Sequence, residues 1–189
     1  MKKIIIGAGN VQQDGWISTQ QNDFNVLHKE DWTNSHTPNS IDCLLAEHVW
    51  EHMTLEEGVE AAKHCFEFLK PGGYIRCAVP DRNFDNDWYQ NMVQVGGPGP
   101  EDHPAADHKI VYDYKQFKEV FERAGFQVEL LEYCDDQNLF HYTHWNEEDG
   151  KIGRSFRFDT RNSDESLGMV SIIIDAKKPL KVPSKQQTK

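Results

Sequence analysis

The sequence predicts an α/β fold with a mainly parallel sheet and helices on both of its faces, a doubly wound arrangement. Short apolar runs of strand length alternate with amphipathic helical segments, as in parallel strands joined by right-handed crossovers. The 189 residues are enough for one sizeable core and few for two domains. Hydrophobic residues make up 38% of the chain and charged residues 27%, which is the balance of a globular protein.

Four short strands are predicted in the first quarter of the chain. Residues 3–6 are a β-branched run that stops at a glycine, which is typical of a buried strand. Residues 16–19 and 24–27 are further apolar runs of strand length. Residues 41–46 follow the loop-like segment Thr37-Pro38-Asn39-Ser40 and form a longer apolar run. The first and last of these four runs have the clearer strand pattern.

A helix is predicted from residue 55 to residue 69. Thr54 is suited to cap it, and two glutamates in its first turn suit the helix dipole. Apolar side chains then recur every three or four residues as far as Lys70-Pro71-Gly72-Gly73, which is a helix stop. Residues 74–79 follow as a strand.

The second half of the chain is predicted to add one helix and two strands. Residues 113–124 are amphipathic and end at a glycine, and the apolar residues 126–133 follow as a strand. Residues 169–176 form the last predicted strand. Residues 177–189 are rich in Lys, Gln and Pro and are predicted to be a flexible tail, so that one domain covers residues 1–176.

Two segments lack a regular pattern. Residues 81–109 contain Gly96-Gly97-Pro98-Gly99-Pro100 and are too long for a plain connection, so we expect a lid or a binding loop. Further on, Arg154, Arg157 and Arg161 either hold an anionic group of a substrate or belong to a solvated face.

The amino-acid composition disfavours nucleic acid as a partner and predicts a location in the cell. The formal net charge of −11 disfavours a nucleic-acid partner, because a phosphate-binding surface needs clustered Lys and Arg. The four cysteines form no C-x-x-C pair and are predicted to be buried free thiols, as in a reducing compartment. The apolar run at the N-terminus is too short for a signal peptide or a membrane span. We therefore expect a cytoplasmic protein that binds no membrane.

The clearest ligand-binding signal is the turn Gly7-Ala8-Gly9, directly after the first predicted strand. In an open α/β sheet, ligands bind at the carboxyl ends of the strands. The third glycine of a dinucleotide fingerprint would fall at Gln12, so the pattern disfavours a nicotinamide cofactor. Only six residues separate Gly9 from Trp16, too few for the usual crossover helix that cradles a pyrophosphate.

Three segments in order resemble those of class I S-adenosylmethionine-dependent methyltransferases. These are Ile4-Ile5-Ile6-Gly7-Ala8-Gly9, residues 41–52 with the sequence IDCLLAEHVWEH, and residues 69–81 with the sequence LKPGGYIRCAVPD. The segment from Asp107-His108-Lys109 to Tyr114 is similar to the small, type 11-like predicted members of that family. The resemblance implies a Rossmann-like fold with a seven-stranded type of sheet and a shortened first crossover.

The resemblance also implies S-adenosylmethionine as the methyl donor, S-adenosylhomocysteine as the product and a small-molecule acceptor. The glycine turn would approach the methionine part, and Gln20 stands where the family has an acidic residue for the ribose. Asp31 and Trp32 match the adenine-binding place, although Trp32 is equally suited to core packing. The cofactor-binding residues that it implies are Gly7, Ala8, Gly9, Asn10, Gln20, Asp31, Trp32, Ala46, Glu47 and His48.

Methyl transfer needs alignment of the acceptor with the methyl group, and a base only if the acceptor arrives protonated. His52, Asp81 and His108 are the candidate catalytic bases, with Asp81 also suited to a turn after Pro80. Tyr112 either lines the acceptor pocket or packs under the long loop. We expect His52, Asp81 and His108 to lie near strand ends or on the long loop of residues 81–109.

Three alternatives stay open. His48, Glu51 and His52 spell H-x-x-E-H, which also occurs in a class of zinc peptidases, but the motif follows a strand end directly and we expect no metal ion. A relative that binds the cofactor or a partner without methyl transfer is the main rival, because Gln20 lacks a charge. The missing crossover helix further predicts a bare apolar sheet face, which a second copy in a homodimer would cover.

Overall fold

A computed structural model describes residues 1–163 and 166–180. The strands are β1 (Lys3–Ile6), β2 (Ile17–Ser18), β3 (Ile41–Glu47), β4 (Leu69–Pro80), β5 (Gln127–Cys134), β6 (Phe140–Tyr142) and β7 (Ser171–Lys177). The α-helices are α1 (Lys29–Ser35), α2 (Leu55–Phe68), α3 (Asp87–Val93) and α4 (Tyr114–Arg123). Two 3₁₀-helices span Trp50–His52 and Glu147–Asp149.

The strands form one seven-stranded sheet in the order β2-β1-β3-β4-β7-β5-β6. The pairs β1–β2, β1–β3 and β3–β4 are parallel, whereas β7 runs antiparallel to both β4 and β5. The pair β5–β6 is also antiparallel, so the sheet is mixed: β1 to β5 share one direction, and β6 and β7 run against them. The predicted α/β class is confirmed. The helix α2 begins at Leu55, as predicted, and its N-cap Thr54 forms a capping box with Glu57.

One predicted strand is wrong. Residues 24–27 form a loop with a turn at residues 26–27, in which the Asn25 side chain accepts the Leu27 amide hydrogen at 3.0 Å. Phe24 and Val26 are buried while Asn25 and Leu27 are partly exposed, so the alternation that imitates a strand comes from side chains packed inward from a loop. The helices α1 and α3, of seven residues each, were not predicted because each buries only one or two side chains.

The predicted tail begins too early. Lys177 is the last residue of β7, and the side chain of Lys178 is buried. Its ammonium group donates to the carbonyl oxygens of Phe66 at 2.6 Å and Leu69 at 2.8 Å. These bonds fix the chain beyond β7 to the end of α2, while the rest of the predicted tail, residues 181–189, lies outside the described residues.

The two faces of the sheet are covered differently. The helices α2 and α4 pack on one face and form the main hydrophobic core with alternate residues of β1, β3, β4 and β7. The other face carries Ile5, Leu45 and Ile173, and Trp145 and Ile152 from the segment 145–158 pack against it. The predicted bare face is therefore covered by this chain, and the argument for a homodimer that depended on it does not hold.

A buried ion pair anchors this covering segment. Arg76 on β4 pairs with Asp175 on β7 through two bonds of 2.8 and 2.9 Å. The same guanidinium donates to the carbonyl oxygens of Asn146 and Gly150, both at 2.8 Å, and lies 4.8 Å from the ring centre of Trp145. Since all three nitrogens of the Arg76 guanidinium donate hydrogen bonds, and two of these bonds go to the covering segment, that segment is fixed in position over the sheet.

Candidate functional site

A cleft of about 390 Å³ opens where β1 and β3 end. Its lining comes from four segments: the glycine turn after β1, residues 20–27 after β2, residues 48–53 after β3, and residues 104–109 of the long loop. The cleft therefore lies at the carboxyl ends of neighbouring parallel strands, where the fold class predicts a ligand. The predicted binding loop contributes one wall of it.

The glycine turn needs its glycines for two different reasons. Gly7 and Gly9 have φ angles of +60° and +54°, which L side chains rarely adopt. A Cβ at Gly7 would lie 2.9 Å from Cγ2 of Val49, whereas a Cβ at Gly9 would meet no atom within 4 Å. Gly7 is thus required by packing, and Gly9 leaves bare backbone at the edge of the cleft. Ala8 is buried against the opposite face of the sheet, and Asn10 is exposed outside the cleft.

Gln20 borders the cleft at the end of the second strand segment. Its side-chain nitrogen donates to the carbonyl oxygen of Gly9 at 2.7 Å. The side-chain oxygen of Gln20 accepts no hydrogen bond from the described residues, so the amide can bridge the turn and a ligand. This is the place where the sequence comparison put the ribose-binding residue.

Asp31 and Trp32 do not line the cleft, which corrects their assignment to adenine binding. Trp32 is fully buried, its indole nitrogen donates to the Val26 carbonyl at 3.0 Å, and its ring packs on Phe24 at 4.7 Å. The Asp31 carboxylate accepts the amide hydrogen of Asn25 at 2.8 Å. Both residues instead hold residues 24–27 in place, and these four residues do line the cleft. Sequence reasoning missed them because their alternation imitated a strand.

Ala46, Glu47 and His48 lie at the carboxyl end of β3, and their side chains point in different directions. Ala46 is buried in the main core, and the Glu47 carboxylate accepts the amide hydrogens of Gly153 and Arg154 at 2.9 and 2.8 Å. Neither borders the cleft, so their assignment to cofactor binding is corrected. His48 does border it, and its Nε2 lies 3.0 Å from the hydroxyl of Ser171.

His52 is the candidate base that the structure brings into the cleft. Its Nδ1 lies 2.7 Å from the carboxylate of Asp107, and its ring meets that of His108 edge-on at 4.9 Å. His108 lies behind it, with 8% of its surface exposed, and its Nδ1 donates to the Val93 carbonyl at 2.9 Å. Burial lowers the pKa of His108, which favours its neutral form.

Asp81 does not lie where it could act as a base on a ligand in the cleft. It is fully buried, does not border the cleft, and accepts the amide hydrogens of Asn83 at 2.9 Å and Cys134 at 2.6 Å. Burial raises its pKa to about 6. These bonds close the turn after β4, which is the structural alternative for this residue. Tyr112 is likewise buried in the main core rather than in the cleft.

The three arginines at positions 154, 157 and 161 have partners of their own. Arg154 lies 3.9 Å from the Glu47 carboxylate, and Arg161 forms a 2.7 Å ion pair with Asp159. Arg157 lies 4.7 Å from the ring centre of Trp145. They are better described as part of the segment that covers the sheet than as an anion site.

The H-x-x-E-H motif does not form a zinc-peptidase site. His48 has a φ angle of +55° and precedes the three-residue 3₁₀-helix Trp50–His52. His48 and His52 therefore do not share one face of an α-helix, which the peptidase arrangement requires.

The part of the chain that the structure describes contains no helix long and apolar enough to cross a membrane. All four cysteines are buried and free, as predicted.

Solved structures that are similar to this chain include methyltransferases. A SAM-dependent methyltransferase from Archaeoglobus fulgidus is 16% identical, with a TM-score of 0.53, and the match covers 94% of this chain and 86% of that one. One from Thermotoga maritima is 12% identical, with a TM-score of 0.51 and coverage of 94% and 82%. A Haloferax volcanii structure of the Trm112 methyltransferase activator in a complex is also similar, at 12% identity, a TM-score of 0.51 and coverage of 94% and 82%. At these identities the likeness shows the fold, which is the Rossmann-like methyltransferase fold.

No curated protein matches the chain. A family model described as a methyltransferase domain matches residues 5–131, which is more than half of the chain. The matched range contains the glycine turn, the segment after β3 and the long loop, which together form most of the cleft. The chain therefore belongs to the methyltransferase domain family.

Proposed function

We propose that the cleft binds S-adenosylmethionine and that the protein transfers its methyl group to a small-molecule acceptor. The observation that carries this proposal is the bare backbone at Gly9, where a side chain would project into open space beside Gln20. The methionine part of such a ligand can approach the end of the strand closely only where the backbone carries no side chain. Membership of the methyltransferase domain family supports methyl transfer as the reaction, and the geometry at Gly9 supports the cleft as the binding place.

The lining residues fit the three parts of this cofactor. The backbone of Gly7 and Gly9 would hold the methionine part, and the side-chain oxygen of Gln20 would accept a hydrogen bond from a ribose hydroxyl. The apolar side chains of Val26 and Leu27 would pack against the adenine. Burial of a flat, apolar base against such side chains is favourable without an aromatic partner.

The bound donor supplies a methyl group on a positively charged sulfur, so that the enzyme's residues have only to orient the acceptor and remove its proton. His52 borders the cleft, and its Nδ1 faces Asp107, which leaves Nε2 to receive a proton from an acceptor. The Asp107 carboxylate stabilises the imidazolium that results. His52 is therefore the base in this proposal, while Asp81 and His108 are not.

Calorimetric titration with S-adenosylmethionine and with S-adenosylhomocysteine tests the donor site. We expect saturable binding of both ligands. An absence of binding up to about 1 mM, the upper end of usual KM values, would contradict the proposal.

A relative that binds the cofactor without catalysis remains the second candidate, because Gln20 has no charge with which to grip the ribose. Incubation with donor labelled in its methyl group and a panel of small molecules separates the two. Label transferred to a small molecule supports catalysis, and binding without transfer supports the second candidate. The cytoplasmic location stays a prediction that follows from the four thiols.

A further inference from the structure

One buried carboxylate next to His52 in the chain has no hydrogen-bond partner among the described residues. Glu51 is fully buried, and neither of its oxygens accepts a hydrogen bond from the described residues. One donor atom from each of Glu51, His52 and His108 lies within 4.8 Å of the other two. We propose that these three residues bind a divalent transition-metal ion of the Zn²⁺ class.

The burial of Glu51 calls for a positive charge beside it. An ionised carboxylate away from water is strongly unfavourable unless a cation or several hydrogen bonds compensate it. His48 comes near, with its Nδ1 3.2 Å from Oε1 of Glu51, but without the geometry of a hydrogen bond. The hydroxyl of Tyr112, also buried, has no partner among the described residues either.

Both imidazoles are oriented as metal ligands usually are. Nδ1 of His108 donates to the Val93 carbonyl, and Nδ1 of His52 faces the Asp107 carboxylate. In each ring this leaves the lone pair of Nε2 for another partner. A metal-bound histidine typically has such a carbonyl or carboxylate behind it, which fixes the tautomer and the ring direction.

The donor set selects the kind of ion. Two imidazole nitrogens and one carboxylate oxygen suit Zn²⁺ and its neighbours, whereas Mg²⁺ and Ca²⁺ prefer oxygen ligands alone. Three protein ligands leave a fourth position open, as in catalytic zinc sites. His52 is the ligand that borders the cleft, so a further ligand would approach from there.

This set differs from the one that the H-x-x-E-H motif implied. His48 is excluded because its Nε2 is engaged by Ser171, and His108 from the long loop takes its place. It also revises the expectation of a metal-free protein. The metal site goes beyond the proposed methyl transfer. If a metal ion occupied it, His52 would be a metal ligand instead of the base, and the metal would activate an acceptor oxygen.

The test is a titration of the full, tag-free and chelator-treated protein with Zn²⁺ by calorimetry, together with the visible spectrum on addition of Co²⁺. We expect one equivalent of Zn²⁺ to bind, and Co²⁺ to give the intense bands of a four- or five-coordinate site. His52→Ala and His108→Ala should each weaken Zn²⁺ binding by more than about 100-fold, and Asp107→Asn by about 10- to 100-fold. Asp107 is largely exposed, so its variant tests the site without disturbing the core.

His141→Ala is the matched control, because His141 also faces a carboxylate, that of Asp135 at 2.7 Å, but lies outside the cluster. It should leave Zn²⁺ binding unchanged. Absence of binding in the unaltered protein, or equal weakening by His141→Ala, would overturn the proposal. So would undiminished Zn²⁺ affinity in Glu51→Gln, because it would show that the Glu51 carboxylate is not a ligand. Titration with S-adenosylhomocysteine on the same samples reports the donor site separately, so failure of one proposal is distinguishable from failure of the other.

Discussion

The side-chain amide of Gln20 donates a 2.7 Å hydrogen bond to the carbonyl oxygen of Gly9. The bond joins the end of the second strand to the glycine turn after the first. It acts beside a second link, in which the amide of Ala8 donates to the Thr19 carbonyl at 2.8 Å. The turn that borders the cleft is therefore held in shape from β2, without the crossover helix that usually follows β1.

Gln20→Ala should weaken the binding of S-adenosylhomocysteine about tenfold, because it removes an acceptor for the ribose and loosens the turn; a tenfold loss corresponds to about 1.4 kcal/mol. Calorimetry gives the dissociation constant. Gln21→Ala is the control, since Gln21 also borders the cleft but its side chain makes no hydrogen bond to the described residues. Equal losses in both variants would show that Gln20 has no special part in binding.

Gly9→Ala should abolish measurable cofactor binding, since its methyl group would project into the cleft. Its cost in stability should be about 1–2 kcal/mol, the usual strain of a left-handed alanine. Gly15→Ala carries the same strain, with a φ angle of +79° and open space around its Cβ, but it lies outside the cleft. Thermal unfolding and calorimetry on both variants check this: similar stability with binding lost in Gly9→Ala alone is expected. Retained binding in Gly9→Ala would move the site elsewhere.

Asp175→Ala should lower the free energy of unfolding by about 3–5 kcal/mol, because it leaves the Arg76 guanidinium buried without its counter-charge. Denaturant titration measures the change. Glu129→Ala provides the comparison, since it removes the exposed pair between Glu129 and Lys177 across β5 and β7. That loss should stay below about 1 kcal/mol, as for other surface ion pairs. Two similar losses would mean that burial adds nothing to the Arg76 pair.

Asp81 should make the protein less stable as the pH rises from about 4 to about 6.5. Its pKa is raised from 3.8 to about 6 by burial, so the native state binds more protons than the unfolded state in this interval. The contribution is complete below the unfolded pKa and is lost as the pH passes the folded pKa, to a total of about 3 kcal/mol. Asp81→Asn should flatten the profile by that amount in denaturant titrations across this range. An unchanged slope would refute the assignment.

Much of the fold could be predicted from local sequence. The run 3–6 and the run 41–46 are apolar because parallel strands are covered on both faces, and Thr54 with Glu57 gives the start of α2 directly. Residues 24–27 were misread because the inward packing of a loop can repeat every second residue, just as a strand does. Periodicity alone does not separate the two.

The lining of the cleft was less predictable than the fold, because it depends on contacts distant in sequence. The glycine turn, Gln20, His48 and His52 border the cleft, and their part in binding or catalysis stays a prediction. Glu47 does not, because residues more than a hundred positions later donate to it. The pairing of His52 with His108 across the long loop was likewise invisible in the motif. No local pattern encodes such a pairing.

The position of β7 has a consequence for how the molecule assembles. This strand is made after all the others, yet it lies between β4 and β5, which do not pair with each other. Until Ser171–Lys177 has left the ribosome, β4 keeps an unpaired edge, and β5 and β6 have no place to dock. Nascent chains should therefore be most prone to aggregation shortly before that point in translation, and final closure of the sheet should be a late, non-local event.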